Sequence, residues 1–385
     1  MKTFAYGRGL VWWIALVGAV LLSQASSVVA AAINSHPVER KLLYVAEPGI
    51  RNYLEYGGHG VLVFDIDHGH RFVKRIPAAG LDESGQPLNV KGVCASASTK
   101  RLYVSTTRTL ACFDLLTEKI LWEKPFPGGC DRMSITPDGK VIYLPSLEGA
   151  HWHVVDGLTG DVIKKIVPKS AGAHNTIVGL DGARAYLAGL RSPLLSVTDT
   201  TKHEVIREVG PFSNFIRPFT VNRAGTLCFV NVNDLLGFEI GDLTTGKMLH
   251  RVEVQGFEKG PTNRHGCPSH GVGLTPDEKE LWLTDAHNSR LHLFDATAMP
   301  PKQVASIALR DQPGWVTFSI DGKYAYPSTG DVIEVATRKI VAGLQDENKV
   351  DVQSEKMLEI DFKDGQPVHA GDQFGLGRLT RRYGD

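Results

Sequence analysis

One pattern returns along this chain: a tight turn, a short alternating strand and a closing aromatic. It is clearest in Pro276-Asp-Glu-Lys-Glu-Leu-Trp282, Pro137-Asp-Gly-Lys-Val-Ile-Tyr143 and Asp321-Gly-Lys-Tyr-Ala-Tyr326. Looser copies are Asp181-Gly-Ala-Arg-Ala-Tyr186, Ala224-Gly-Thr-Leu-Cys-Phe229, Ser98-Thr-Lys-Arg-Leu-Tyr103 and Arg40-Lys-Leu-Leu-Tyr44. From Tyr103 onward the closing aromatics are 40, 43, 43, 53 and 44 residues apart. Tyr44 precedes Tyr103 by 59, the excess being a Gly/Tyr-rich insertion from Pro48 to Gly60. Such self-similarity means that each unit buries its apolar faces against its neighbours, so it decides the fold before any residue is read for chemistry.

A second punctuation follows each copy: Phe113-Asp-Leu-Leu-Thr117, Val155-Asp-Gly-Leu-Thr-Gly160, Thr198-Asp-Thr-Thr201, Asp242-Leu-Thr-Thr-Gly246, Phe294-Asp-Ala-Thr297 and Glu334-Val-Ala-Thr337. An acid that ends a strand and is followed by Thr caps a tight turn through side-chain to backbone hydrogen bonds. Each unit then holds four short alternating strands, which at this length is a propeller blade. Seven units are countable over residues 39–344. The expected fold is all-β: a single-domain, seven-bladed β-propeller of four-stranded blades. The first unit lacks an inner strand before Tyr44. The tail, 345–385, carries a strand-like run over 356–362 that is expected to complete that blade and close the ring. Gln345 to Glu355, polar and charged, reads as an exposed connection.

Residues 1–32 read as a secretory signal peptide: Lys2 and Arg8, an apolar core from Trp12 to Leu22, and small residues up to Ala32. The core is eleven residues, against roughly 20 for a membrane span. The mature chain is therefore expected to be secreted or periplasmic, without a stable membrane span, and to act as a monomer. Formal charge is +0, mildly acidic once Lys2 and Arg8 are removed, with no basic run, which excludes nucleic acid as a partner. Five cysteines, Cys94, Cys112, Cys130, Cys228 and Cys267, leave at least one outside any intrachain disulfide. No C-x-x-C-H is present, which argues against attached c-type haem.

Leu102-Tyr-Val-Ser105, the Pro-Asp-Gly-Lys turns and the Asp-x-x-Thr turns resemble the YVTN-type β-propeller family, within the quinoprotein amine dehydrogenase-like group. The resemblance runs from about Glu39 to Leu344 and implies the propeller fold. For function it implies a range, from surface proteins to lactonase-like enzymes and dehydrogenase subunits. Phe113-Asp-Leu-Leu-Thr-Glu-Lys-Ile-Leu-Trp122 also resembles the tryptophan-docking motif of quinoprotein alcohol dehydrogenases. It occurs once and reads as blade packing.

In such a blade the Asp-Gly and Asp-x-x-Thr turns share one face, and the variable connections share the other. Variable loops on a rigid scaffold carry function. His59, His151, His174, His265, His270 and His287 fall in or beside them, whereas His68, His70 and His203 fall in the repetitive turns. Residues just before inner strands crowd the channel mouth: Lys91, Arg132, His174 with Asn175, Arg217, His265 to His270, and Trp315. Glu47 and Asp285 point toward the same mouth. A divalent metal such as Zn or Cu is one reading, with His174, His265, His270 and His287 as ligands. An oxygen-ligand site from Glu47, Asn175 and Asp285 resembles the calcium-dependent lactonase propellers. Histidines that only hydrogen-bond loop backbone around a watery channel are a third.

Arg132 and Arg217, both before inner strands, are candidates to hold a small anionic ligand, a carboxylate or phosphate, or else to pair with neighbouring acids and brace adjacent blades. Arg132, Asn175 and Trp315 are the candidate cofactor-binding residues, Trp315 by stacking on a ligand unless it plugs the channel. A loop of a protein partner is the other candidate occupant. Flanking His265 and His270 are expected to lower the Cys267 pKa. Two functional classes stay open: a binding or scaffold propeller, and an enzyme of hydrolase or lyase type with His270 or His287 as base and Arg217 steadying negative charge. His174, Arg217, His265, His270 and His287 are expected to converge on one pocket.

Overall fold

The computed structural model describes residues 39–77, 80–261 and 264–376. The proposed signal peptide, 1–32, lies outside them. Among the described residues no helix is long and apolar enough to cross a membrane.

Seven antiparallel sheets form the ring, six of four strands and one of five. Their inner strands are Met357–Lys363, Val90–Ser96, Ser134–Ile135, Ala173–Val178, Ile216–Val221, Val272–Leu274 and Val316–Phe318, which begin blades one to seven. The repeated aromatics sit between blades, and this explains their spacing. Tyr103 donates its hydroxyl to the Gly157 carbonyl of the next blade at 2.8 Å, and Tyr143 meets His203 Nδ1 at 2.7 Å. Tyr326 of blade seven meets His70 of blade one at 3.0 Å, so the same contact also joins the ends of the ring. Tyr103, Tyr143 and Tyr326 are at most 1% exposed.

The acid-capped turns form as their chemistry predicts. Asp114 Oδ1 accepts from the Leu116 and Thr117 amides at 3.0 and 2.7 Å, and Asp156, Asp199 and Asp242 repeat the arrangement. In the Asp-Gly turns, Gly139 and Gly322 take φ of 72° and 71°, where a side chain is strained.

The tail closes the ring. Met357–Lys363 pairs antiparallel with Glu39–Glu47, Val45 opposite Met357 and Glu39 opposite Lys363. A fifth strand, Gln366–Ala370, adds to the far end of Met357–Lys363, beyond the four strands expected of this blade. From there the chain turns into the channel. Gln373 accepts from the Val93 amide at 3.2 Å, donates to the Met133 carbonyl at 2.9 Å, and receives the Trp315 indole N–H on its own carbonyl at 2.5 Å. Phe374 and Leu376 pack with Ile177, Phe219 and Trp315 in one buried cluster. Segment 371–376 therefore fills the channel beneath Trp315.

The expected exposed connection is only half so. Residues 347–351 are exposed, but Val352 to Lys356 are buried, because they lead into an inner strand and so run along the channel.

Candidate functional site at the channel mouth

Each inner strand begins at the same end of the ring, so seven short lead-ins surround one axis. These lead-ins and the first residues of the strands bring Lys91, Asp131 with Arg132, His174 with Asn175, Arg217, the 264–270 loop, Trp315, and Glu355 with Lys356 to that end. Glu355 is the hub. Its Oε2 accepts from Arg132 Nη2 at 2.7 Å and Lys356 Nζ at 2.8 Å, and its Oε1 lies 2.9 Å from His265 Nδ1 and 3.9 Å from His270 Nδ1. Burial would raise the Glu355 pKa, but Lys356, His265, His270 and Arg132 hold it well below the usual range. Burial pulls Lys356 down to about 7, against the attraction of Glu355.

Arg132 lies flat over Trp315, with its central carbon 3.7 Å from the ring centroid, and Nη1 reaches Asn175 Oδ1 at 3.4 Å. Arg132 Nε and Asn175 Nδ2 are sealed from solvent without a hydrogen-bond partner among the described residues. Beside them Asp131, fully buried, receives His174 Nδ1 at 2.6 Å and faces Lys91 Nζ at 3.4 Å. Burial lowers the His174 pKa despite Asp131, and burial lowers that of His270 well below its usual value despite Glu355. His270 Nδ1 donates to the Gly314 carbonyl at 2.8 Å. Nε2 of His174 and of His270 has no hydrogen-bond partner among the described residues, and neither atom is among the sealed ones.

The 264–270 loop is held from three sides. Arg264 bonds Asp311 at 3.0 Å and the Tyr56 hydroxyl at 2.9 Å, which ties the loop to the insertion of blade one. The Asn231 amide donates to the His270 carbonyl at 2.8 Å. Lys356 Nζ also donates to the Gly49 carbonyl at 2.7 Å, so the same insertion covers the hub.

Of the residues singled out from sequence, Arg132, Asn175, His265, His270 and Trp315 meet around Glu355, and His174 stands beside Arg132 on Asp131. Arg217 does not join them. It bonds Asn233 Oδ1 at 2.5 Å and the Gly266 carbonyl at 3.2 Å, bracing the outside of the loop. His287 is exposed and stacks against Gly260, away from the hub, because Asp285 caps Asn288 and turns that connection outward. The five residues expected in one pocket are thus divided. Glu47, Asn175 and Asp285 also fail to meet: Glu47 accepts from the Gly49 amide at 2.6 Å, and Asp285 binds His292 Nε2 at 3.0 Å. All five thiols are buried and none forms a disulfide. Burial pushes the Cys267 thiol up to about 12, overriding Arg217, so its expected activation by His265 and His270 does not occur.

Sequence reasoning missed Asp131, Glu355, Lys356 and Gln373. The signal for Glu355 and Lys356 was present, since they precede the inner strand of blade one as Trp315 precedes that of blade seven. Two open grooves of about 500 and 430 Å³ lie on the rim, between outer strands and turns, and neither is lined by these residues.

No family model matches the chain, and no curated protein matches it. Among solved structures, Kuenenia stuttgartiensis hydrazine synthase superposes on 64% of this chain and 96% of its own, with a TM-score of 0.44 and 16% identity. A likeness of that extent carries no argument about this chain's chemistry. By its own strand topology, the chain is a seven-bladed β-propeller.

Proposed function

We propose that this chain is an exported propeller, similar to the YVTN type, whose channel mouth binds a small carboxylate-bearing ligand. The observation that carries the reading is the crowding of basic donors at the mouth: Lys91, Arg132 and Lys356 come from three different blades and, among the described residues, share two carboxylates, Asp131 and Glu355. The unpartnered N–H groups of Arg132 Nε and Asn175 Nδ2 add to it. A buried donor left unbonded costs about 1–3 kcal/mol, which a ligand oxygen recovers. Segment 371–376 makes the site blind, so a ligand enters and leaves by one face. Export is supported by the residues from Lys2 to Ala32.

Calorimetric titration of chelator-treated protein with acetate and succinate tests this. Carboxylate binding that weakens with added salt is expected, and Lys91→Met, about 16% exposed, should weaken it about tenfold. Absence of binding at millimolar carboxylate, or an unchanged Lys91→Met protein, sinks the reading.

The Asp131–His174 pair favours a second reading, an enzyme. A buried carboxylate that fixes Nδ1–H leaves Nε2 as a base, and His174 takes that part in place of His287. Turnover of an ester or lactone panel that His174→Gln abolishes, with carboxylate binding intact, would establish it.

A further inference from the structure

We infer that His265 Nδ1, His270 Nδ1, Glu355 Oε1 and the Gly314 carbonyl form a site for a borderline divalent transition-metal ion, filled together with an anion. The inference rests on the reading of the mouth as an anion site and adds what the anion binds against. One ligand atom from each of the three side chains lies within 4.8 Å of the others. The individual separations are 2.9 Å from Glu355 to His265, 3.9 Å from Glu355 to His270, and 2.8 Å from His270 to the Gly314 oxygen. Bonds of about 2.0–2.1 Å to one ion place neighbouring ligands about 2.9–3.4 Å apart. Small ring movements bring this set to that spacing.

His265 supplies an independent reason. Both of its nitrogens face oxygen acceptors: Nδ1 faces Glu355, and Nε2 faces the Gln312 carbonyl at 3.3 Å. A neutral imidazole has one N–H and satisfies one of them. With a metal ion on Nδ1, the ring proton sits on Nε2 and donates to Gln312, so both contacts become favourable. The same ligation at His270 moves its proton from Nδ1 to Nε2, the atom open at the mouth, and frees the Gly314 carbonyl for the ion. Position 314 leaves room for this because it is glycine. A Cβ there would lie 2.1 Å from His265 Nδ1 and 2.5 Å from Glu355 Oε1, in the space the ligands converge on. Imidazole nitrogens with carboxylate and carbonyl oxygen suit Zn, Co, Ni or Cu rather than Ca or Mg.

The charges around the set explain why an anion must accompany the ion. Arg132 and Lys356 occupy Glu355 Oε2 and leave Oε1 for the metal, yet the Arg132 guanidinium, with the Lys356 amine next to it, also places fixed positive charge beside it. A bare dication is repelled there, and one carrying a carboxylate is not. Metal and anion should therefore bind with positive coupling, each tightening the other by the same factor.

The test uses the full-length chain after chelator dialysis, titrated with Co2+ in chloride buffer and again with acetate, reading the visible d–d bands. A stoichiometric complex is expected, tightened about tenfold or more by acetate. His265→Ala and His270→Ala should each remove the bands, whereas His68→Ala, on the opposite face, should keep them. Should a variant fail to fold, Cu2+ bound to the wild type decides through nitrogen hyperfine splitting from its two imidazoles. No bands in either buffer, bands surviving both substitutions, or equal affinity with and without acetate overturns the inference. Calorimetric acetate binding to the metal-free protein then still decides the anion reading by itself.

Discussion

Glu355 shows how much one side chain can decide. It is buried among Arg132, Lys356 and His265, and among the described residues none of these is in a salt bridge with another carboxylate. Such a pair is weak ground for stability when complete, because desolvation offsets the attraction, but removing one partner strands the rest. Glu355→Leu should therefore destabilise the protein by about 3–5 kcal/mol, read as a shift of the urea midpoint. Glu355→Gln, which keeps an acceptor oxygen, should cost less. Equal, small effects of both would mean that Arg132 and Lys356 find other partners. At this scale the sequence was partly readable. Arg132, His174, His270 and Trp315 could be placed at the mouth because each precedes an inner strand or stands at its start. Glu355 could not be separated from its hydrophilic neighbours, since polarity marks a residue as exposed unless its partners, up to 223 positions away, are known. His287 was misplaced for a related reason: the connection carrying it is set by the Asp285 cap, a local turn that decides direction without changing composition.

Among elements, the strand that closes the ring carries an unusual pair. Glu359 and Asp361 alternate onto the same face of Met357–Lys363, and Glu359 Oε1 and Asp361 Oδ1 are both sealed without a hydrogen-bond partner among the described residues. Burial, with the charge of Asp361 beside it, raises the Glu359 pKa to about 9. A carboxyl raised above its unfolded value holds its proton more tightly when folded. Its contribution is complete below the unfolded value and is lost as pH rises through the folded one. The Glu359 contribution to stability should therefore fall between about pH 4.5 and pH 9, and Glu359→Gln should remove that part of the wild-type pH dependence. Urea midpoints across this range would measure both, and a parallel decline in the variant would remove Glu359 as the cause. Most of the element scale was legible beforehand, because the aromatic and Asp-x-x-Thr punctuation fixes register locally. Gln366–Ala370 was not. It pairs only with the tail's own strand, in a stretch that has no counterpart in the other six blades and so no repeat to reveal it.

For the whole molecule, the tail makes two separable contributions. Met357–Lys363 supplies the inner strand that blade one lacks, and through it the ring has no free inner edge. Residues 371–376 then fill the channel without belonging to any blade. A chain ending at Ala370 keeps the closing strand and loses the fill. Phe374 and Leu376, 2% and 7% exposed, leave Trp315 without its ring neighbour and without the Gln373 carbonyl. Two buried apolar side chains at about 1.5–3 kcal/mol each predict a loss of about 3–6 kcal/mol, with the cooperative transition retained. Trp315 emission should move to longer wavelength as water enters from the turn face. A chain ending at Ser354 loses the closing strand, Glu355 and Lys356 together. It exposes the unpaired edge of Glu39–Glu47 and leaves Arg132 buried without its carboxylate. That protein should show no cooperative unfolding transition. A Ser354-terminated chain that unfolds cooperatively near the full-length midpoint would show that the ring holds as an open stack of blades. Closure would then serve the mouth, by delivering Glu355 and Lys356, more than it serves the fold.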